Sequence, residues 1–253
     1  MYGLYAFDLD GTIYRGDEAM DGAADTVWAL LERGARVVYL TNNSAATPEG
    51  VSLKLEKMGI PCEPAWVYGT GPFAAQLCRD RGYRQVHVVG EPALHQTFAE
   101  AGLQLASDRP EAVVVGICRT LTYEMIAEAA DLIRAGAPFI ATNTDATYPM
   151  AGGRLQPGAG AVVAAIQTAA GREPEVLGKP APAMLLAAMR KAGVEPANTL
   201  MVGDRYETDI LCGQAAGCDT WLVTTGVVTD RPAGQPGGDN LRELLNYEPE
   251  SPC

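Results

Sequence analysis

The sequence predicts an α/β fold built on a parallel sheet. Two observations carry that expectation. Short apolar or β-branched runs alternate with helical patterns over almost the full chain, as βαβα units do. Runs such as "ARVVYL", "AVVVG" and "TLMVG" are apolar throughout, which suits strands buried on both faces. A third observation bears on what the sheet serves. Polar clusters stand at the ends of four runs, and open parallel sheets bind ligands at the carboxyl ends of their strands.

The elements follow in order. "LYAFDLD" is the first strand, "GAADTVWALLERG" a helix and "ARVVYLTNN" the second strand. In "TPEGVSLKLEKMG", Thr47 caps a helix whose first residue is Pro48 and whose stop is Gly59. The middle continues with "VHVVG", the helix "PALHQTFAEAG", "AVVVG", the helix "TYEMIAEAADLIRAG" and "PFIATN". A Gly/Pro-rich stretch, "YPMAGGRLQPGAG", leads into a small-residue helix, "AVVAAIQTAAG". "KPAPAMLLAAMRKAG", "TLMVG", "TDILCGQAAG", "TWLVTTG" and a short helix near "NLRELLNY" complete the pattern. Periodicity leaves open whether the middle extends one sheet or forms a second domain.

The composition is that of a globular protein: 253 residues, 47% hydrophobic and 20% charged. A formal net charge of −12 argues against nucleic acid as the main partner, although a local site on an acidic protein can still hold a small anion. Six cysteines are scattered with no CxxC pair, a pattern of reduced thiols rather than a disulfide framework. No signal-like start and no run of membrane-spanning length is read. The expectation is a cytoplasmic protein with no membrane partner.

The four strand-end clusters carry the chemistry. Asp8 and Asp10 stand one residue apart in "FDLDGT", so strand alternation predicts that they share a side and need a cation between them. Taken alone, such a pair serves equally as a capped turn. "GDRYETD" after "TLMV" adds Asp204 and Asp209. Asp8, Asp10 and Asp204 are hard oxygen donors with no His or Cys beside them, a set expected for Mg²⁺ rather than zinc. Thr41, Asn42 and Asn43 in "TNN" read either as an ordinary turn or as a small nest for phosphate. Lys179 precedes Pro180, which favours extended backbone followed by a helix start, and it is a candidate to neutralise a phosphoryl oxygen. Asp209 falls in the first turn of a helix, where a carboxylate either complements the dipole or orients Lys179 or a metal-bound water.

In this order the clusters resemble the four motifs of the haloacid dehalogenase-like hydrolases: DxDGT, a Thr at the second strand end, a Lys, and GDxxxTD. "TNNS", "ATNTDATYP", "PGAG", "GKP" and "GDRYETDI" are similar to the NagD-like, 4-nitrophenylphosphatase-type (class IIA) branch. The likeness runs from about residue 5 to residue 228. It implies a Rossmann-like core with a parallel sheet, formed by residues 1–82 and 177–253, and an inserted α/β cap over residues 83–176. It implies Asp8 as a nucleophile that forms an aspartyl-phosphate, and Asp10 as the acid and then the base. It also implies Mg²⁺ held by Asp8, the Asp10 carbonyl and Asp204, with Thr41, Asn42 and Lys179 around the phosphoryl group. The substrate would be a small phosphorylated metabolite, and pairing through the cap would give a homodimer.

In the cap, Tyr148 is a candidate to touch the leaving group, whereas Asn143 and Asp145 read more readily as turn residues. "PGAG" reads as a helix start, His87 and His95 as structural, and Met184, Leu185, Ala188 and Met189 as core. Three other functions are weighed: a dehalogenase, disfavoured because a halide needs no proton from Asp10; a mutase, disfavoured by the large cap; and a non-catalytic binding module.

Overall fold

A computed structural model describes residues 1–149, 154–224 and 231–247. The chain divides into two compact units, Met1–Thr41, Pro48–Tyr68 and Lys179–Cys253 in one, Asn42–Thr47 and Gly69–Gly178 in the other.

The first unit is built on a six-stranded sheet in the order Gly237–Gly238, Asp219–Val223, Thr199–Gly203, Leu4–Asp8, Arg36–Thr41, Val67–Gly69. Leu4–Asp8 lies inside it, every residue buried, parallel to Arg36–Thr41 on one side and to Thr199–Gly203 on the other. Sequence order runs outward in both directions from this strand, so a topological switch point falls between Leu4–Asp8 and Thr199–Gly203. Ligands of open α/β sheets bind outside such a point. Helix Ala23–Glu32 connects the first two of these strands, and Pro48–Lys57 starts at the expected proline. Met184, Leu185, Ala188 and Met189 are buried on helix Ala183–Ala192.

The second unit carries a five-stranded parallel sheet in the order Glu175–Val176, Phe139–Ala141, Val113–Val115, Gln85–Val89, Gln104–Leu105. Its valine runs are buried on both faces. Val113 and Val115 pack with Ile133 and Ile166, from helices Tyr123–Arg134 and Ala159–Ala170. Val114 packs on the opposite side with Ala74, Leu94 and Phe98, from helices Thr70–Asp80 and Pro92–Glu100. Ala74, Ala75 and Cys78 bury themselves in that layer, and the division falls at Gly69, ahead of the residue 83 that the family resemblance implies.

Two local elements differ from expectation. The Gly/Pro-rich stretch contains an antiparallel hairpin, Thr147–Pro149 against Leu155–Pro157, with Tyr148 opposite Gln156. The final helix is a 3₁₀ segment, Leu241–Asn246, capped by the Asn240 side chain. "PGAG" does open a helix, Ala159–Ala170, with Gly158 as its cap. His87 lies in strand Gln85–Val89, and the His95 ring nitrogens lie 3.2 and 3.0 Å from the Glu91 and Val88 carbonyl oxygens, a structural arrangement. Among the described residues no helix is long and apolar enough to cross a membrane.

Candidate active site

Strand register assembles the site. Asp8 pairs with Leu40 and Phe7 with Val202, so Asp8, Thr41 and Asp204 emerge near one edge of three adjacent parallel strands. Beyond Asp8 the chain turns sharply: the Leu9 carbonyl accepts from the N–H groups of Thr12, Ile13 and Tyr14 at 3.3, 2.9 and 3.1 Å. Gly11 sits in this turn at φ 97°, a left-handed conformation that favours glycine. A Cβ there would also lie 2.4 Å from Asp204 Oδ2. Asp10 therefore lies past the strand end, and the turn rather than strand alternation sets its position. Its Oδ2 accepts from the Tyr14 hydroxyl at 3.4 Å.

Asp8 belongs instead to a buried charge cluster. Lys179 Nζ donates to Asp8 Oδ1 at 2.5 Å, to Asp209 Oδ1 at 2.7 Å and to the Leu40 carbonyl at 3.4 Å. Lys179 and Asp209 are 2% and 1% exposed, and Asp204 is fully buried. Asp209 is held from its other oxygen by the Arg205 N–H at 3.0 Å. It rides on a π-helical turn, Tyr206–Ile210, ahead of helix Leu211–Ala216; such wide turns recur at functional positions. Gly203 makes room for it, since a Cβ there would meet the Asp209 Cβ at 2.2 Å. The Lys179–Pro180 peptide is cis, and the following helix begins at Ala183 rather than at the proline.

The electrostatics follow from three carboxylates facing one ammonium. Burial pushes the Asp8 carboxyl well above the usual carboxylate range, and Asp209 and Asp204 add to the rise against the pull of Lys179. Burial alone would lower the Lys179 ammonium, but Asp209 and Asp8 outweigh it and hold it above an ordinary lysine. Burial leads the Asp8 shift and the neighbouring carboxylates lead the Lys179 shift, and in both cases the surrounding negative charge disfavours loss of the proton. Burial also raises the Asp10 carboxyl, opposed by Lys54, Lys179 and the Tyr14 hydroxyl; Asp10 keeps contact with solvent, which limits that rise. One oxygen each from Asp8, Asp204 and Asp209 lies within 4.8 Å of the others. An all-carboxylate donor set with surplus negative charge fits a hard divalent cation such as magnesium.

Asn42, Asn43 and Tyr148 belong to the second unit. Asn42 Nδ2 donates to both Asp145 oxygens, at 3.1 and 3.2 Å, and its carbonyl accepts from Asn143 Nδ2 at 2.7 Å and from the Thr70 hydroxyl at 3.0 Å. Asn143 and Asp145 thus bind the segment that follows Thr41, beyond the turn role expected of them. Asn143 Oδ1 does accept from the Asp145 N–H at 3.1 Å, as a turn residue does. Asn43 is exposed, and its Oδ1 accepts from the Ala45 N–H at 3.0 Å. Tyr148 accepts from Arg119 Nε at 2.9 Å and donates to Gln156. Sequence reading missed Arg119, Tyr14 and Lys54. Lys54 alone left a trace, as a charge three residues after Val51 and one before Leu55, both buried.

Comparison with known proteins agrees with this architecture. Residues 5–104 match the haloacid dehalogenase-like hydrolase family and residues 176–243 a HAD-hydrolase-like family. The 5′-nucleotidase YutF of Bacillus subtilis is 40% identical, over 89% of this chain and 88% of the relative. The structure of 4-nitrophenylphosphatase from Thermotoga maritima superposes with a TM-score of 0.91 at 34% identity, covering 97% of each chain. Glycerol phosphate phosphatase from Mycobacterium tuberculosis, solved in complex with magnesium, gives a TM-score of 0.85 at 36% identity, over 96% of this chain and 77% of that one. The chain belongs to the haloacid dehalogenase-like hydrolases, in the NagD-like, 4-nitrophenylphosphatase-type branch of phosphatases.

Proposed function

We propose that the protein is a magnesium-dependent phosphomonoesterase that hydrolyses a small phosphorylated metabolite through an aspartyl-phosphate on Asp8. The observation that carries this reading is Lys179, buried and shared between Asp8 at 2.5 Å and Asp209 at 2.7 Å, with Asp204 in the same cluster. A carboxylate facing an anionic phosphate is repelled unless positive charge stands beside it. Asp209 holds Lys179 in place for that purpose. Asp8, Asp204 and the Asp10 carbonyl would hold magnesium, which when bound would supply the remaining positive charge.

An Asp8 oxygen attacks phosphorus and the ester oxygen departs, taking a proton from Asp10. The ionised Asp10 then takes a proton from a water that attacks the phosphoryl group on Asp8, releasing phosphate and restoring both residues. Splitting hydrolysis into two displacements is a known use of a carboxylate nucleophile, and each proton transfer typically contributes about 10²–10⁴-fold. In this reading Thr41, Asn42, Asn43, Tyr148 and Lys179 are assigned to substrate binding. Relatives named for nucleotides, nitrophenyl phosphate and glycerol phosphate support a phosphomonoester and leave its alcohol unspecified.

The test is phosphate release from a panel of nucleoside, sugar, glycerol and aryl phosphates, with magnesium and with chelator. Release that needs the metal and vanishes in Asp8→Asn is expected. Metal-independent release, or more than a few per cent of activity in the variant, would reject the mechanism.

A further inference from the structure

Two residues beside Asp10 have no part in the mechanism above. Tyr14 stands on the far limb of the turn, where its carbonyl accepts from the Gly11 N–H at 2.8 Å, and its side chain is 4% exposed. Its hydroxyl reaches Asp10 Oδ2 at 3.4 Å. The Lys54 ammonium lies 3.7 Å from the centre of the Tyr14 ring, well inside the range of a cation–π contact. Lys54 comes from helix Pro48–Lys57, in the row next to Val51 and Leu55, both buried. Its ion-pair partner, Asp17, is fully exposed and 3.9 Å away, a contact of the kind worth little. The ring, rather than Asp17, therefore anchors the ammonium.

Asp10 has solvent contact, so its carboxyl is free to sample rotamers unless something ties it. A neutral carboxyl that transfers a proton must present its O–H oxygen to the leaving group, while its other oxygen is left to accept a hydrogen bond. Tyr14 supplies a donor for that second oxygen, and a cation on the ring face holds the phenol and sharpens its donation.

We propose that Tyr14 and Lys54 are positioning residues for proton transfer: Tyr14 fixes Asp10 Oδ2 so that Oδ1 carries the proton to the departing oxygen, and Lys54 fixes Tyr14. The inference rests on the assignment of Asp10 as the acid. Its signature is selectivity for the leaving group. An alkoxide departs only with a proton, whereas 4-nitrophenolate departs as a stable anion. Misplacing the acid therefore penalises the first far more than the second.

The experiment measures kcat/KM for glycerol phosphate and for 4-nitrophenyl phosphate in wild type, Tyr14→Phe, Lys54→Met, Lys54→Arg and Asp10→Asn. Tyr14→Phe should lose about tenfold on the glycerol ester and less than about twofold on the nitrophenyl ester, the size expected for one hydrogen bond to a working group. Lys54→Met should lose about threefold with the same selectivity, Lys54→Arg should restore it, and the double variant should be no worse than Tyr14→Phe alone. Equal losses on both esters, or no loss, would overturn the inference and leave Tyr14 a packing residue. If Asp10→Asn itself shows no leaving-group selectivity, the assignment of Asp10 falls, and the inference with it. A selective Asp10→Asn beside an unselective Tyr14→Phe removes the inference alone.

Discussion

Replacing Asp8 by Asn should end turnover and leave the metal-free protein no less stable. Asp8 lies 2.5 Å from Lys179 and within 4.8 Å of oxygens of Asp204 and Asp209. At an effective dielectric near 20, the lysine contact is worth about 6.6 kcal/mol of attraction and each carboxylate pair at least about 3.5 kcal/mol of repulsion. Two repulsions thus match or exceed the one attraction. Burial penalises only the charged form, so the neutral isostere gains on balance, by roughly 0–2 kcal/mol, or up to about 8 °C in Tm for a chain of this size. The pH dependence follows from the raised Asp8 carboxyl. A neutral Asp8 leaves the fold undisturbed below the ordinary carboxylate value, near pH 4, and the penalty grows as pH rises through the folded value. Thermal melts in chelator should therefore show the variant at or above wild type at pH 7, with the gap closing on acidification. A fall of more than about 5 °C at pH 7 would show that the Lys179 attraction dominates and that the charge surplus has been misjudged.

Gly203→Ala drives a methyl group into Asp209; displacing that carboxylate from Lys179 should lower kcat at least tenfold and destabilise by about 1–3 kcal/mol, as overpacking does, read by phosphate release and denaturant melts. Tyr148→Ala frees Arg119 Nε and should reorder the substrate panel while the Asp8-dependent reaction persists; an unchanged ranking removes Tyr148 from substrate binding. Cys62 is the part-exposed thiol among the described residues, and burial pushes it up to about 11. Its alkylation at pH 8, followed by peptide mass, should run roughly a hundredfold slower than an ordinary thiol and accelerate toward pH 11. Reaction at an unhindered peptide's rate would refute that shift.

Much of the site was legible because parallel strands end together. Asp8, Thr41 and Asp204 each follow an apolar run, and the register of those runs brings them to one edge. Lys179 was legible as a charge at a strand end, whereas Asp209 serves equally as a helix-dipole partner until its contact with Lys179 is seen. What escaped depends on contacts between distant segments. Asn143 and Asp145 have the chemistry of a turn, and nothing local says that Asn42, about a hundred positions earlier, is their partner. Tyr14 reads as an apolar residue and Lys54 as a solvated one until the ring and the ammonium are seen together. The helix Thr70–Asp80 carries no mark of which sheet it will cover, and the implied start at residue 83 lies a helix length beyond the division at Gly69. The hairpin at Thr147–Pro157 was hidden by the glycines and prolines of a stretch that reads as a connector.

The strand Leu4–Asp8 sits between Arg36–Thr41 and Thr199–Gly203, and that placement sets a timetable for folding. One neighbour is synthesised soon after the strand, the other roughly 190 residues later, an interval of about 10–40 s at ribosomal speed. Through that interval the strand has an open edge of five residues that the finished fold buries completely, a template for unwanted pairing. The sheet of the second unit lies wholly within Gly69–Gly178 and can close meanwhile. Asp8 therefore waits for Lys179 and Asp204, and the buried charge cluster is among the last parts of the molecule to be assembled.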